Sequence, residues 1–395
     1  MSMEIGDRKK IKVGFITDDI DRKAMGTAFY MQRLIEEYAT NFKDDIDLVL
    51  IHREGKCVVP VCSRARRIPI KTFKLPKWTG ITSFLRFFFT CKEEFDIIHF
   101  PRPKLFPFFW RLRAKKFVVT FHDAPEKGSP RFRTPTNYIF EWFIKFWGKY
   151  HIDAAIADGD FPAENMARYF GLRREQAFGI RLAGALDLRP LRPEEIEPAK
   201  KKLREKYGIR FPYILQVARL VPHKNVHRVV EAFGMLQEKN SIPHQLVILG
   251  GKSHAPAYDA MVERAISALP QKDACYIAPY IESEDMSAVY NLADMFVQAG
   301  TSDGFSIPIV DALQSGVAIV TSNRSVFPEI VGDAAVLVDP FSSADIARGM
   351  AQLIGDRDLR ERLIARGLAK AKEYSWTKAA AVTIGVYRTV LSRNL

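Results

Sequence analysis

The chain has 395 residues, 47% of them hydrophobic and 27% charged, with a formal net charge of +13. That length exceeds one typical core and suits two α/β domains of nearly equal size, while no run approaches the 18 consecutive apolar residues of a membrane-spanning helix, which excludes a spanning protein. Residues 1–190 hold 34 Lys and Arg against 23 Asp and Glu, a net of +11, and the remainder holds 25 against 23, a net of +2, so the first half is the basic one.

Met1–Lys12 is charged and leads only into the short apolar run Val13–Ile16, a strand rather than a signal-peptide core, so a cytoplasmic location is expected. Lys12–Thr17 reads as a buried parallel strand, Asp18–Gly26 as a polar loop, and Thr27 to about Asn41 as an amphipathic helix. Short apolar runs follow at Asp47–His52, Ile97–Phe100, Phe117–Phe121 and Ala154–Ala157, separated by helical or irregular segments, as in an open parallel sheet covered on both faces. Three aromatic-basic stretches lie in this half: Phe84–Phe89, Lys104–Arg111 and Tyr138–Tyr150. They fit equally a core with a solvated charged face and a contact with an anionic membrane surface, which would place the protein peripherally at the inner face of the membrane. Cys57, Cys62, Cys91 and Cys275 lack the paired spacing of a zinc site and are expected to be structural thiols. Three D-x-D triplets, Asp19–Asp21, Asp45–Asp47 and Asp158–Asp160, resemble metal-holding acids, but none falls at a phosphate turn, so no metal is expected.

Residues Gly184 to about Pro198 are rich in Pro, charge and turn formers and precede a helix, Ala199–Tyr207, which opens a second unit. Short buried strands are expected at Tyr213–Val217, Gln245–Leu249, Ala274–Ile277, Met295–Gln298, Ala318–Thr321 and Ala335–Val338, again separated by helices. Within Asp303–Gly316, Pro308 suits a helical first turn and Gly316 a C-terminal cap, which leaves backbone N–H groups near Ser306 and Ile307 to bind an anion. Asp303 and Asp311 flank that point, where they could reach sugar hydroxyls on either side of a phosphate. Ser375 suits an N-cap for a last helix, Trp376–Leu391. The expected domains are 1–190, 191–374 and a C-terminal helix, 375–395, packing back on them.

Asp303-Gly304-Phe305-Ser306-Ile307-Pro308-Ile309-Val310-Asp311-Ala312 resembles the E-x7-E region of retaining family 4 (group 1) glycosyltransferases, with Asp at both acidic positions and Ser306 replacing a glycine. Val217–Asn225 is similar to the family's G-R-L-x-x-x-K-N turn, Ala278–Met286 to its G-Y-V segment, Gly250-Gly251-Lys252 to its G-x-G turn and Thr120-Phe121-His122-Asp123 to its T-x-H-D. Met25-Gly26-Thr27-Ala28 stands where the family carries G-G-x-G. The resemblance implies a GT-B fold of two Rossmann-like, doubly wound domains facing a central cleft, an acceptor side in 1–190 and a nucleotide-sugar site in 191–374. It implies Arg219 and Lys224 on the diphosphate, Asp303 on the donor sugar, Asp311 on the ribose, Ile281 beside the base and His122 over the donor sugar. Gly26, Thr27, Gly250, Gly251, Ser306 and Ile307 would make backbone contacts to phosphate, donor or acceptor. The activity implied is metal-independent, retaining transfer from a UDP- or GDP-sugar to a glycan or lipid-linked acceptor, in cell-envelope or exopolysaccharide synthesis, with no nucleic acid as partner. A GT-B epimerase or phosphorylase, or a catalytically weak nucleotide-sugar-binding protein, is the alternative.

Overall fold

A computed structural model describes residues 9–18, 20–21, 26–73, 79–122, 135–185, 188–240, 242–251 and 256–393. They form two compact units, one built on 9–122, 135–181 and 376–393 and the other on Leu182–Ser375. In the first, β1 (Ile11–Ile16), β2 (Ile46–Arg53), β3 (Arg66–Ile70), β4 (Phe95–Phe100), β5 (Ala114–Phe121), β6 (Ala154–Ala157) and β7 (Ala177–Gly179) make one sheet in the order β3-β2-β1-β4-β5-β6-β7. Every pairing in it is parallel. The second unit has β8 (Tyr213–Val217), β9 (Gln245–Leu249), β10 (Cys275–Ala278), β11 (Met295–Gln298), β12 (Ile319–Ser322) and β13 (Val336–Val338), in the order β10-β9-β8-β11-β12-β13. These pairings are parallel too.

Burial explains the choice of strand. β6, β9 and β11 are buried at every residue, as strands covered on both faces must be. The second sheet accordingly has a core on each face, Ile214, Ile248, Val297 and Val320 on one and Leu215, Val247, Phe296 and Ile319 on the other. The expected strands all form, to within a few residues. β3 and β7 were not among them. Both are edge strands: β3 is mostly exposed and carries Arg66, Arg67 and Pro69, and β7 has three residues. An edge strand needs no continuous apolar run, and its proline costs no ladder bond on the open side.

The cysteine expectation is corrected in part. Cys57 and Cys62 are joined in a disulfide across a five-residue separation, while Cys91 and Cys275 are free thiols. A five-residue loop brings its ends together readily, a geometry that a search for C-x2-C spacing does not register.

The helix Trp376–Ser392 follows the whole second unit in sequence yet belongs to the first. Trp376 packs edge-on against Phe29, and Tyr387 is fully buried, its hydroxyl 3.2 Å from that of Tyr38 and 2.6 Å from His99 Nδ1. Arg388 adds an ion pair to Asp45. No helix among the described residues is long and apolar enough to cross a membrane.

Candidate functional site

In a doubly wound sheet the chain leaves two adjacent central strands in opposite directions, and the crevice beyond their carboxyl ends is where ligands bind. In the second unit those strands are β8 and β11. The turn after β8 runs through Ala218 and Arg219 to a 3-10 turn, Pro222–Lys224, closed by Asn225 in left-handed conformation at φ 58°. Asn225 is fully buried, and its amide donates to the carbonyls of Ala299, 2.8 Å away, and Pro340, 2.6 Å away. The Thr301 N–H donates to the His223 carbonyl at 2.8 Å. These bonds fix the basic turn against the loop that leaves β11. Lys224 Nζ donates to Asp303 Oδ2, and the two side chains are only 16% and 10% exposed. The other Asp303 oxygen accepts the Gly304 N–H at 3.1 Å, and the Asp303 N–H donates to Ser325 Oγ at 3.2 Å. Arg219 is exposed at the start of the turn.

The turn after β9 lies directly on the turn after β8. A Cβ at Gly250 would fall 1.9 Å from the Ala218 carbonyl oxygen, which only glycine permits, whereas one at Gly251 would meet no described residue within 4 Å. The helix Ile307–Ser315 starts at the Ser306 N-cap, has Pro308 in its first turn, and ends at Gly316 with φ 72°. The Ser306 carbonyl accepts from Ile309 at 3.0 Å, and its hydroxyl is buried with no hydrogen-bond partner among the described residues. The Ile307 N–H, at N1, has no intrahelical acceptor.

Asp311 sits one turn into that helix, as expected, but it is 4% exposed and its Oδ1 accepts the Ala185 N–H at 2.9 Å. Gly184 makes that approach possible, since a Cβ there would lie 2.4 Å from the same oxygen. The acid thus also fastens the segment that enters the second unit. Ile281 is buried at 6%, in the segment just before Asp285. Burial alone would raise the Asp285 carboxyl, yet hydrogen bonds from Lys202, Tyr207 and Lys206 outweigh it and hold it at about 2. Asp285 anchors the segment; its contacts are all to the scaffold.

In the first unit the corresponding strands are β1 and β4. A narrow crevice lies there, lined by Ile16, Met31, Phe84, Phe100 and Phe106, with Arg102, Lys104 and Asp18. His122 follows β5. Its Nδ1 is 2.9 Å from Asp158 Oδ2, its Nε2 is 3.1 Å from the Pro101 carbonyl oxygen, and its ring meets Tyr30 edge-on with centroids 4.6 Å apart. A carbonyl can only accept, so Nε2 donates to it, and Nδ1 faces the Asp158 carboxylate. Behind it runs a buried chain of hydrogen bonds: Tyr30 to Thr120 at 3.1 Å, Thr120 to His99 at 2.7 Å, and His99 to Tyr387. Burial, reinforced by nearby His122, pushes the His99 imidazole down to about 3, so this ring is neutral.

Gly26 and Thr27 form the first turn of the helix Gly26–Thr40, and a Cβ at Gly26 would meet no described residue within 4 Å. Met25, Asp123, Lys252 and Asp19 lie outside the described residues. The triplet acids have structural partners: Asp21 accepts from the N–H groups of Cys57, Val58 and Val59, Asp45 pairs with Arg388, and Asp158 with His122. Among the described residues no three His, Cys, Asp or Glu side chains are grouped to hold a metal ion. Sequence reading assigned no role to Asn225, Ser325 or Asp158. Asn225 had a signal, as one of the few side chains that tolerate left-handed backbone at a turn; Asp158 and Ser325 act across chain separations that one sequence does not reveal.

The family model "Glycosyl transferases group 1" matches residues 199–370. Among curated proteins, the O-antigen chain mannosyltransferase B of Escherichia coli is 26% identical over 283 residues, covering 70% of this chain and 71% of that one. The serotype-specific mannosyltransferase WbdA of Escherichia coli is 24% identical over 282 residues; these are 71% of this chain but 34% of that protein, so the chain spans about a third of that relative's length. Among solved structures, Anabaena HepE in complex with UDP and glucose superposes with a TM-score of 0.72 at 16% identity, covering 97% of this chain and 100% of that one.

Proposed function

Since the chain is a glycosyltransferase of GT-B fold with a second domain of the group 1 type, we propose that it moves a hexosyl unit from a nucleotide-diphosphate sugar to a glycan or lipid-linked acceptor, with retention at the anomeric carbon and without a metal. The observation that carries this reading is the pairing of Lys224 with Asp303 beyond the carboxyl ends of β8 and β11. A cation suited to diphosphate and an acid suited to sugar hydroxyls stand together where doubly wound sheets bind nucleotides.

Lys224 and Arg219 stabilise the charge that grows on the departing diphosphate, the role a divalent ion takes elsewhere. Ser306 and the Ile307 N–H add donors at the start of a helix, whose dipole favours the same charge. Asp303 holds the donor sugar hydroxyls, Asp311 the ribose, the backbone at Ile281 the base, and Gly250 and Gly251 let the chain pass close to the donor. From the first unit, the resemblance assigns His122 to the donor sugar and Gly26 and Thr27 to backbone contacts with phosphate or acceptor. The bond from the anomeric carbon to the phosphate oxygen breaks as the acceptor oxygen bonds that carbon on the same face, and the acceptor proton passes to the departing phosphate oxygen. Mannosyltransferases among the relatives favour a mannosyl donor. The acceptor is assigned to the first domain and to cell-envelope or exopolysaccharide synthesis, with an anionic membrane surface as a further partner of the basic half.

Replacing Lys224 with Ala should lower transfer from a nucleotide sugar by roughly 10²–10³-fold while leaving the fold intact. Transfer near the parental rate refutes the diphosphate role. A thermal-shift screen with UDP-, GDP- and ADP-sugars identifies the donor, because a ligand at about 100 times its Kd stabilises by ~2.7 kcal/mol.

A further inference from the structure

The aromatic-basic stretches of the first domain are only half absorbed by its core. Phe84, Phe87, Phe88, Phe106, Phe109, Phe143 and Ile144 are buried. Their neighbours point outward: on the helix Pro135–Phe146 and the turn Gly148–His151, Tyr138 is 57% exposed, Ile139 65%, Trp142 56%, Phe146 58%, Trp147 59% and Tyr150 76%. Positions 138, 142 and 146 fall on one helical stripe. Phe89 and Phe108, also exposed, have ring centroids 5.8 Å apart. The buried sides interlock, with Phe106 against Phe140 at 5.5 Å and Trp110 stacked on Phe143 at 6.3 Å, so both groups of outward rings grow from one packed cluster. So many outward apolar rings over one packed cluster are rare on a protein that meets only water.

Cations accompany these rings. Arg111 lies 5.6 Å from the centre of the Phe89 ring, and Lys149 lies 5.2 Å from that of Tyr150. Residues 51–150, which contain the whole surface, hold 21 Lys and Arg against 7 Asp and Glu, a net of +14. That charge argues against a second copy as the occupant, because pairing the face with itself would set like charge against like. It argues for an anionic partner that accepts aromatic rings without presenting a matching shape. A bilayer interface does both, since Trp and Tyr settle at headgroup depth and lysine and arginine stems reach from apolar ground to the phosphates.

We propose that the helix Pro135–Phe146, the turn after it and the rings at Phe89 and Phe108 form a docking face that lies on an anionic lipid surface, with Trp142, Phe146, Trp147 and Tyr150 inserted at headgroup depth and the surrounding basic residues on lipid phosphates. This specifies the membrane reading given above and is independent of the donor site.

The test is flotation of the full chain with vesicles of phosphatidylcholine alone and of phosphatidylcholine with phosphatidylglycerol, comparing the parent with the triple variant Trp142→Ser, Phe146→Ser, Trp147→Ser and with Arg111→Glu, Lys149→Glu. The parent should float only with phosphatidylglycerol present, with a blue shift of tryptophan emission and release at high salt. Each variant should lose about tenfold or more of the bound fraction. Nucleoside-diphosphate binding measured on the same variants should be unchanged, which shows that they are folded and separates failure of the membrane face from failure of the donor site. Absence of flotation, equal flotation of the variants, or a parent dimer that ignores vesicles and that the triple variant dissolves would each overturn the proposal.

Discussion

Lys224 and Asp303 neutralise one another in the second unit; on the proposed reading a donor parts them, with phosphate for the amine and hydroxyls for the acid. In the first unit Asp158 lies 2.9 Å from His122 Nδ1, and on the proposed reading it acts through that ring. Replacing Asp158 with Asn removes the carboxylate that orients the ring, and turnover should fall by about tenfold or more with little change in donor affinity; steady-state kinetics that show a change in KM alone would speak against this positioning role. His99 yields a prediction about stability. Its folded imidazole titrates at about 3, below the ordinary value near 6.5 in the unfolded chain. Above pH 6.5 both states are neutral and stability is full; as the pH falls toward 3, the unfolded chain gains a proton that the folded one refuses. Stability should therefore drop with a slope approaching about 1.4 kcal/mol per pH unit, and His99→Asn should flatten that part of the profile in thermal melts. Lys224, Asp303 and His122 were legible in the sequence as residues; the buried state of His99 was not. A buried histidine and an exposed one are the same letter, and the partners of His99 lie 21 and 288 positions away.

At the scale of elements, the sequence was most legible where a strand is central and a helix is capped. β8, β9 and β11 were expected at the bounds they have, because a strand covered on both faces is mostly apolar, with one glutamine in each, and the helix Ile307–Ser315 because Pro308 and Gly316 mark its ends. The turns between were legible as residues but not as contacts. Gly250 and Gly251 look alike in the sequence, yet one lies on the Ala218 carbonyl and the other meets no described residue within 4 Å. Gly250→Ala should cost roughly 1–3 kcal/mol and weaken nucleotide binding by displacing the Arg219 turn, whereas Gly251→Ala should stay within about 0.5 kcal/mol. Denaturant melts of the two variants decide it; equal stability would mean that the two turns move apart without cost.

For the whole molecule, each unit carries its own core, which predicts two unfolding steps rather than one. A nucleoside diphosphate should raise only the step that belongs to Leu182–Ser375, and calorimetry with and without the ligand reads this directly. A shift confined to the other step would move the nucleotide site to the first domain. The two-domain plan was legible in length and strand spacing; the return of the last helix to the first unit was not, because Trp376–Ser392 carries apolar residues that suit either.

That helix also sets an order of maturation. On the ribosome the first unit is made first, but Tyr38 and His99 stay uncovered at the place Tyr387 will occupy until residues 376–392 emerge, by which time all of Leu182–Ser375 has been synthesised. The unit that begins the chain is then the last to be finished, and its aromatic and basic surface spends the interval without a completed fold behind it, open to chaperones or to lipid.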